Sequence, residues 1–570
     1  MSENGEHSIS RLLYALAIAA LILTFAWRMY LVFHEPLNED ESNTLHKGWQ
    51  LGHESGFYTN QLEVRMPLPF EAVRPFLWLG RPSLIYLGTR FGQVVLTAAA
   101  LLMLFLFTEA VAGRRAALWT IVVISFFNFF VARAIEVRAE PPMLLFSLAS
   151  LWCYVRWRTG ERGDRTIALS GVLFGLAVAS KVSAAFLLCG LLAVWLVDLT
   201  WNKPERSRAW RGLLLWGISA AAAFAFVLFW ASGGHVFEAL KWIRYNTAML
   251  RFSEILHGPT TYFTLRTLYT NPVMWLLMIV GFGALPFQLR DARRWWCVLL
   301  MIGLGWGGII SLVARKTFFE QDMILPGMLL APAAGAWLAR WLPLSDGRRL
   351  WPARVAALIV FAALLGCFVA EGIHYERYTN ETLRAYQGVL ATFVGAPRPD
   401  EPARQVDGEM FMDFLRGEHD RVHYYPTATM KQALAAADFV AAATTVHGVV
   451  FTDAALPIVR HEAHRILKAS VLHHVSLLEA NLDPGTACLS GRRFMPGACD
   501  PRKTPGQRLF DVLLAGNPDV IVFGFGVIAC IDYYPETRGW YLAGYDTWYD
   551  PSTNMFFGLR KGSSWPRQGR

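Results

Sequence analysis

Three consecutive carboxylates, Glu39, Asp40 and Glu41, follow the first long apolar run of the chain, Leu12 to Phe33. A carboxylate in such a place can take a proton from a reacting hydroxyl, or it can simply face water. Other charged residues recur beside later apolar runs. They are Arg65, Arg90, Arg138, Glu140, Lys181, Arg315 and Lys316. If the runs return to one membrane face, these acids and cations meet there, and such a meeting suits a lipid-linked phosphate.

The composition is that of a protein that crosses a membrane many times. Of the 570 residues, 54% are hydrophobic and only 17% are charged. Apolar runs of about 20 residues recur, which is the length needed to cross about 30 Å of hydrocarbon. The first run reads as a retained anchor rather than a cleaved signal peptide, because further spans follow it. We predict about eleven spans, at 12–33, 84–108, 115–133, 141–157, 167–181, 183–200, 212–232, 272–289, 295–314, 323–341 and 351–371.

Basic residues predict the orientation of these spans. With the N-terminus in the cytoplasm, five alternate connections rich in Arg and Lys all fall on the cytoplasmic side. This placement accounts for much of the net charge of +9 and argues against nucleic-acid binding. An odd number of spans sends the C-terminal part to the opposite side. We therefore predict that the site and the C-terminal domain are extracytoplasmic.

Two tight outside turns carry charge. Arg133, Glu136, Arg138 and Glu140 lie where the third and fourth spans meet. Lys181 ends the fifth span, and the sixth begins with almost no loop. An ionisable residue at such depth usually marks a functional site. The alternative is that Lys181 extends to lipid phosphates as an ordinary interfacial lysine.

The composition becomes that of a soluble domain after about residue 376. Buried strands are predicted at 448–453 and 517–523, helices at 381–394, 430–441 and 505–516, and a hairpin at 539–561. We therefore divide the chain into a membrane domain, 1–375, and a small extracytoplasmic α/β domain, 376–570. Cys488 and Cys499 are close enough in sequence to form a disulfide there, and the sequence leaves this open. His461, His464, His473 and His474 read as a solvated helix face rather than metal ligands.

The chemistry that fits these charges is sugar transfer from a polyprenyl-phosphate donor. The phosphate leaves as a stable anion and needs no general acid. Negative charge grows on it as the glycosidic bond breaks, and fixed Lys and Arg stabilise that charge in the transition state. The acceptor hydroxyl needs a carboxylate base to remove its proton.

Several motifs resemble the multi-span, lipid-phosphate-dependent glycosyltransferases of the GT-C fold, and particularly their aminoarabinose transferase and protein-mannosyltransferase-like branch. Each motif alone is weak, and their order with the topology is what makes the resemblance specific. In order they are Asp40-Glu41, Arg65-Met-Pro-Leu-Pro69, Leu87-Gly-Thr-Arg90-Phe91, Gly113-Arg-Arg-Ala-Ala-Leu118, Arg138-Ala-Glu140-Pro141, Gly171 to Lys181, and Met323-Ile-Leu-Pro326.

The resemblance implies roles for residues. Asp40 is expected to be the catalytic base with Glu41 beside it, and Glu140 to be a second acid that binds acceptor or supports the site. Lys181 is expected to contact the donor phosphate. The other substrate-binding candidates, from their position, are Arg65, Arg90, Arg138, Arg315 and Lys316.

Two departures from the family pattern stand out. Glu140 replaces a more usual Asp, and Gln321-Asp322-Met323 replaces a basic or aromatic residue before the late proline.

The resemblance further implies a multi-pass protein of the bacterial inner membrane that acts on the periplasmic side. Its partners would be a polyprenyl-phosphate-linked sugar, membrane lipids and an extracytoplasmic acceptor, which is a lipid, a glycan or a protein. No metal ligands are assigned, and whether a divalent cation assists is left open. One alternative is a transporter or flippase of a lipid-linked substrate, although transporters often show repeated halves and none is seen here. The other alternative is a non-catalytic membrane protein whose outer domain binds a partner.

Overall fold

The computed structural model describes thirteen stretches of the chain and a few isolated residues between them. The stretches are 11–34, 66–79, 82–201, 206–237, 271–289, 295–313, 320–342, 351–393, 449–452, 465–468, 505–523, 535–550 and 555–562. Several predictions concern residues outside them. These residues are Asp40, Arg65, Arg315, Lys316, His461, His464, His473, His474, Cys488 and Cys499.

Long helices dominate the first two thirds of the chain. They are α1 Arg11–His34, α2 Leu68–Leu77, α3 Pro82–Ala112, α4 Arg114–Ser125, α5 Asn128–Arg133, α6 Glu140–Arg158, α7 Asp164–Ser180, α8 Leu188–Thr200, α9 Arg206–Ala231, α10 Pro272–Leu289, α11 Trp295–Val313, α12 Ile324–Trp341 and α13 Trp351–Phe393. Short 3₁₀ helices, Val182–Leu187 and Glu320–Met323, precede α8 and α12.

Six of the described helices are long and apolar enough to cross a membrane by length and composition. Their apolar stretches are Arg11–Phe33, Leu84–Ala112, Val182–Thr200, Arg206–Ala231, Trp295–Leu312 and Trp351–Ile373. The prediction of a helical multi-span membrane protein is confirmed. The predicted number of about eleven spans is supported only in part, although a helix lies at each predicted position.

One predicted span is broken. The sequence predicts a single helix over 115–133, whereas α4 ends at Ser125 and α5 begins at Asn128. Phe127 between them is extended, with φ −84° and ψ 100°. The side-chain amide of Asn271 donates to the carbonyl of Phe126 at 2.8 Å and so satisfies a backbone acceptor at the break. The apolar run continues across this break, so hydropathy alone does not reveal it.

The last long helix also differs from prediction. The final span was predicted to end at 371, with a separate helix at 381–394 in the outer domain. The structure has one helix, α13, of 43 residues. The domain boundary predicted at residue 376 therefore lies inside this helix. A fall in hydropathy marks where a helix leaves an apolar environment, but it does not mark where the helix ends.

Close packing fixes the two helices that carry the central charges. α6 and α7 are joined by reciprocal hydrogen bonds, in which the hydroxyl of Ser150 donates to the carbonyl of Ser170 and the hydroxyl of Ser170 donates to the carbonyl of Ser150, each at 2.8 Å. α7 also packs backbone to backbone against α9. A Cβ added to Gly171 would lie 2.3 Å from the carbonyl oxygen of Trp216, so only glycine allows this approach.

The C-terminal part contains a small mixed sheet of five strands in the order β2-β1-β3-β5-β4. The strands are β1 Val449–Thr452, β2 Arg465–Lys468, β3 Val520–Val522, β4 Tyr545–Asp550 and β5 Met555–Arg560. β1 pairs in parallel with β2 and β3, whereas β5 is antiparallel to β3 and β4. Two helices, α14 Pro505–Gly516 and α15 Pro535–Gly544, accompany the sheet.

These elements match most of the predictions for this part. The strands predicted at 448–453 and 517–523, the helix at 505–516 and the antiparallel hairpin are confirmed, except that residues up to 544 of the predicted hairpin belong to α15.

The sheet packs against one end of the helical bundle. Val450 and Val520 of the sheet share a buried apolar cluster with Tyr86 near the start of α3 and with Val137 in the connection between α5 and α6. The cluster joins the C-terminal part to the connection between α5 and α6, which carries Arg133, Glu136, Arg138 and Glu140. We call the end of the bundle that holds these four residues the charged end.

Candidate functional site

Lys181 lies between two carboxylates at the charged end. Its Nζ is 2.5 Å from an Oε1 oxygen of Glu140 and 3.0 Å from Oδ1 of Asp322. Glu140 is the first residue of α6, and Asp322 lies in the 3₁₀ helix before α12. Lys181 itself follows α7 with an extended backbone, φ −156° and ψ 129°, so its side chain leaves the helix direction and reaches both acids. Lys181 lies 41 residues from Glu140 and 141 residues from Asp322 in the sequence, so the group of three joins distant elements.

The connection between α5 and α6 holds a second charged group. Arg133 Nη1 donates to Glu136 Oε1 at 2.6 Å, and Arg138 Nε donates to Glu136 Oε2. Glu136 is buried. Burial raises the pKa of its carboxyl, but the positive charges and hydrogen bonds of Arg133 and Arg138 outweigh burial and hold the pKa below its ordinary value of 4.5. Glu136 is therefore ionised at neutral pH.

Arg138 links this group to Lys181, since it also interacts electrostatically with Glu140. The charges along this connected group alternate in sign, in the order Arg133, Glu136, Arg138, Glu140, Lys181 and Asp322. A buried network of this kind keeps each charge beside an opposite one, which is the condition for holding ionised groups away from water.

Glu41 and Arg90 form a separate bidentate pair. Arg90 Nε and Nη2 donate to the two carboxylate oxygens of Glu41 at 2.8 and 2.6 Å, and both side chains are fully buried. Arg90 Nη1 also donates to the carbonyl of Val32 in α1 at 3.0 Å. The pair fixes residue 41 to α1 and α3. Glu41 was expected to be a catalytic acid beside Asp40. In the structure both of its carboxylate oxygens accept hydrogen bonds from Arg90, and this contact anchors residue 41 to the helices.

The structure brings together part of the predicted site. Glu140, Arg138 and Lys181 form one network, and Glu41 with Arg90 forms another. Asp40, Arg65, Arg315 and Lys316 lie outside the described residues. Sequence reasoning did not assign Asp322, which was read only as a departure from the family pattern. The signal that could have identified Asp322 is its position directly before the late helix, at the membrane boundary where Lys181 was also predicted to lie.

The arrangement does not form a metal site among the described residues, where no group of three His, Cys, Asp or Glu side chains could hold an ion. Glu140 and Asp322 both hold the ammonium of Lys181 instead. Of the three side chains, Lys181 is the most accessible, with 21% of its surface exposed against 5% for Glu140 and 2% for Asp322. An anionic group approaching this network therefore meets the ammonium first.

Comparison with known proteins gives a partial sequence match and a full-length structural one. Residues 86–230 match the family described as dolichyl-phosphate-mannose-protein mannosyltransferase. The chain is similar to ArnT from Cupriavidus metallidurans bound to undecaprenyl phosphate, with a TM-score of 0.57 and 13% identity over 96% of this chain and 97% of that one. The apo state of the same ArnT gives a TM-score of 0.53, again at 13% identity over 96% and 97%.

The oligosaccharyltransferase from Archaeoglobus fulgidus, in the apo form, has a TM-score of 0.49 at 11% identity, covering 98% of this chain and 75% of that one. No curated protein sequence matches the chain. At these identities the structural matches show the fold alone. The family match, which covers Arg90, Arg138, Glu140 and Lys181, and the shared fold together confirm the resemblance predicted from the sequence, to the GT-C fold, polyprenyl-phosphate-dependent glycosyltransferases.

Proposed function

We propose that this protein is a membrane glycosyltransferase that moves a hexose or pentose from a polyprenyl-phosphate donor to an extracytoplasmic acceptor. The charged end would face the periplasmic side of a bacterial inner membrane, with the C-terminal domain beside it. The observation that carries the proposal is the contact of Lys181 with Glu140, because both residues lie inside the segment that matches the mannosyltransferase family. The similar ArnT structure, which was solved with undecaprenyl phosphate, supports the class of donor.

The reaction is a direct displacement. A lone pair on the acceptor hydroxyl oxygen attacks the anomeric carbon of the sugar while the bond from that carbon to the phosphate oxygen breaks. The hydroxyl proton passes to a carboxylate, and polyprenyl phosphate leaves with the bonding electrons. The leaving phosphate needs no proton, so one base and a cationic site suffice.

Asp40 is our candidate for the base. It precedes Glu41, whose pair with Arg90 fixes this part of the chain to α1 and α3. Asp40 lies outside the described residues, so its candidacy rests on its place in the sequence beside this anchor. Glu41 then supports the site through Arg90, and Glu140 supports it through Lys181.

Lys181 is our candidate for the cation that faces the phosphate. It is the most accessible member of its group of three, and two buried carboxylates hold its ammonium in a fixed position. A cation that is already positioned stabilises developing charge without reorganising during the reaction. Arg138 adds positive charge beside Glu140. Arg65, Arg315 and Lys316 remain candidates for donor binding from the sequence.

A transfer assay separates this proposal from the transporter alternative. Detergent-purified protein is mixed with a panel of radiolabelled polyprenyl-phosphate sugars and a membrane extract as the source of acceptors. A transferase moves label from the lipid into a product without any membrane compartment, and unlabelled polyprenyl phosphate accumulates in equal amount. A flippase leaves all label on the donor in detergent and moves it across the bilayer only in sealed vesicles, which would overturn the proposal.

A further inference from the structure

Arg28 is a buried arginine on the inward face of α1. Only 3% of its surface is exposed, and it lies one helical turn from Thr24 and from Val32, which are also buried. Its neighbours Trp27 and Tyr30 stack at 5.2 Å, and Tyr30 is exposed. Tryptophan and tyrosine collect at the level of lipid headgroups. Arg28 therefore lies at headgroup depth but points into the bundle.

The guanidinium of Arg28 lacks hydrogen-bond partners for two of its nitrogens. Its Cζ lies 4.7 Å from the ring centre of Phe130 in α5, and within the described part of the chain neither Nε nor Nη2 has a hydrogen-bond partner. The cations of the charged end differ in this respect, since Arg90, Arg133, Arg138 and Lys181 each donate to a carboxylate. A buried charge without an opposite charge is strongly unfavourable, so a place of this kind calls for an anion.

We propose that Arg28 is an anion-binding residue that takes the phosphate of a polyprenyl-phosphate lipid through Nε and Nη2. This inference rests on the proposed function and adds a residue that no sequence motif singled out. Nε and one terminal nitrogen of a guanidinium form a fork that matches two oxygens of one phosphate. Phe130 covers one face of the guanidinium, and the two donors lie on its edge, where they are buried.

The lipid reaches Arg28 through the seam between α1 and α13. A Cβ added to Gly372 of α13 would lie 3.7 Å from Trp27, so the two helices pass close to each other beside Arg28. Only 17% of the residues in the apolar stretch of α13 are buried within the protein, against 39% for the stretch of α1. Most of α13 therefore presents an apolar surface to the membrane, and a lipid chain can lie along it beside the seam.

Two variants test the inference by thermal unfolding in detergent. Arg28→Met removes the charge at similar length, and Arg28→Lys keeps the charge without the fork. We expect Arg28→Met to raise the Tm of lipid-free protein, because it removes an unpaired buried charge. We expect it to weaken the binding of undecaprenyl phosphate by about 10- to 100-fold, since charged hydrogen bonds are lost. Arg28→Lys should fall between wild type and Arg28→Met. The matched control is Arg114→Met, at a site where 57% of the side chain is exposed, and both its Tm and its affinity should equal those of wild type.

Phosphatidylglycerol and inorganic phosphate are titrated in parallel. An equal, Arg28-dependent shift with phosphatidylglycerol would overturn the assignment to a polyprenyl lipid, and a shift with inorganic phosphate alone would overturn the role of the lipid. A lower Tm for lipid-free Arg28→Met, with unchanged affinity for undecaprenyl phosphate, would show that Arg28 is a structural residue. Equal affinity in wild type and Arg28→Met contradicts the role of Arg28 only, whereas a wild type that undecaprenyl phosphate does not shift contradicts the proposed function as well.

Discussion

Glu140 and Lys181 meet at 2.5 Å, although 41 residues separate them in the chain. One begins α6 and the other follows the end of α7, and the hydrogen-bonded serines between these helices hold the two ends in register. Asp322 approaches the same ammonium from a third element. The ammonium thus has two anionic partners, so changes to the lysine and to either acid have unequal effects.

Lys181→Met should destabilise the protein more than Glu140→Gln. The lysine variant leaves two buried carboxylates facing each other, whereas the glutamine variant leaves the ammonium bonded to Asp322. We expect Lys181→Met to cost about 3 kcal/mol, the lower end for breaking a buried pair, because Lys181 is partly exposed. Thermal unfolding in detergent should rank wild type above Glu140→Gln and Glu140→Gln above Lys181→Met. Adding Glu140→Gln to Lys181→Met should restore part of the loss, and the reverse ranking would contradict the geometry.

Glu41→Gln should also destabilise the protein, by about 3–5 kcal/mol, because it removes the carboxylate charge that accepts two hydrogen bonds from the buried guanidinium of Arg90. Replacing both residues, as Glu41→Met with Arg90→Met, should recover most of that stability, since both charges of the pair are removed together. The control is Arg74→Met, which breaks a partly exposed pair with Glu71 and should cost less than about 1 kcal/mol. A double variant as unstable as Glu41→Gln would show that the pair is held for a reason other than charge balance.

Acid should weaken the connection between α5 and α6. The pKa of Glu136 is lower in the folded protein than its ordinary value of 4.5, because Arg133 and Arg138 outweigh the effect of burial. A lowered pKa contributes stability that is fully present above pH 4.5 and is lost as the pH falls toward the folded pKa. Glu136→Gln should therefore flatten the dependence of Tm on pH below the ordinary pKa of 4.5. The same slope in wild type and in the variant would contradict this contribution.

A direct displacement fixes the stereochemistry of the product. One attack on the anomeric carbon, from the side opposite the phosphate, inverts the configuration. The anomeric coupling constants of donor and product in proton NMR should therefore correspond to opposite configurations. Retention would require a covalent sugar–enzyme intermediate and a second displacement. In that case the carboxylate would be a nucleophile rather than a base, and the proposed step would be wrong.

Much of the fold follows from hydropathy. Each predicted span contains a helix, because a single segment of about 20 apolar residues in lipid can satisfy its backbone hydrogen-bonding groups only by forming a helix. Hydropathy does not report on backbone breaks inside an apolar run, and the residue that bonds to the backbone at the break, Asn271, lies far along the chain. Hydropathy also cannot mark the end of α13, since a helix continues beyond the membrane wherever its residues favour the helical conformation.

The site was harder to predict than the fold. Charges at the ends of spans are visible in the sequence, so Glu140 and Lys181 could be singled out as candidates. Which acid pairs with which cation depends on how the helices are arranged, and for this reason the sequence predicted neither the contact of Asp322 with Lys181 nor the pair of Glu41 with Arg90. Arg28 was missed because a single arginine in an apolar run carries no pattern of its own.

The transfer assay with Asp40→Asn and Lys181→Ala tests the central claim most directly. With a polyprenyl-phosphate sugar that wild type uses, Asp40→Asn should lower kcat by about 10²- to 10⁴-fold through loss of the base, while the affinity for undecaprenyl phosphate stays unchanged. Lys181→Ala should lower kcat by at least about 100-fold, since it removes the charge that faces the phosphate. Glu39→Gln, the adjacent acid expected to face water, is the control and should transfer at the wild-type rate. Undiminished transfer in both Asp40→Asn and Lys181→Ala would contradict the account.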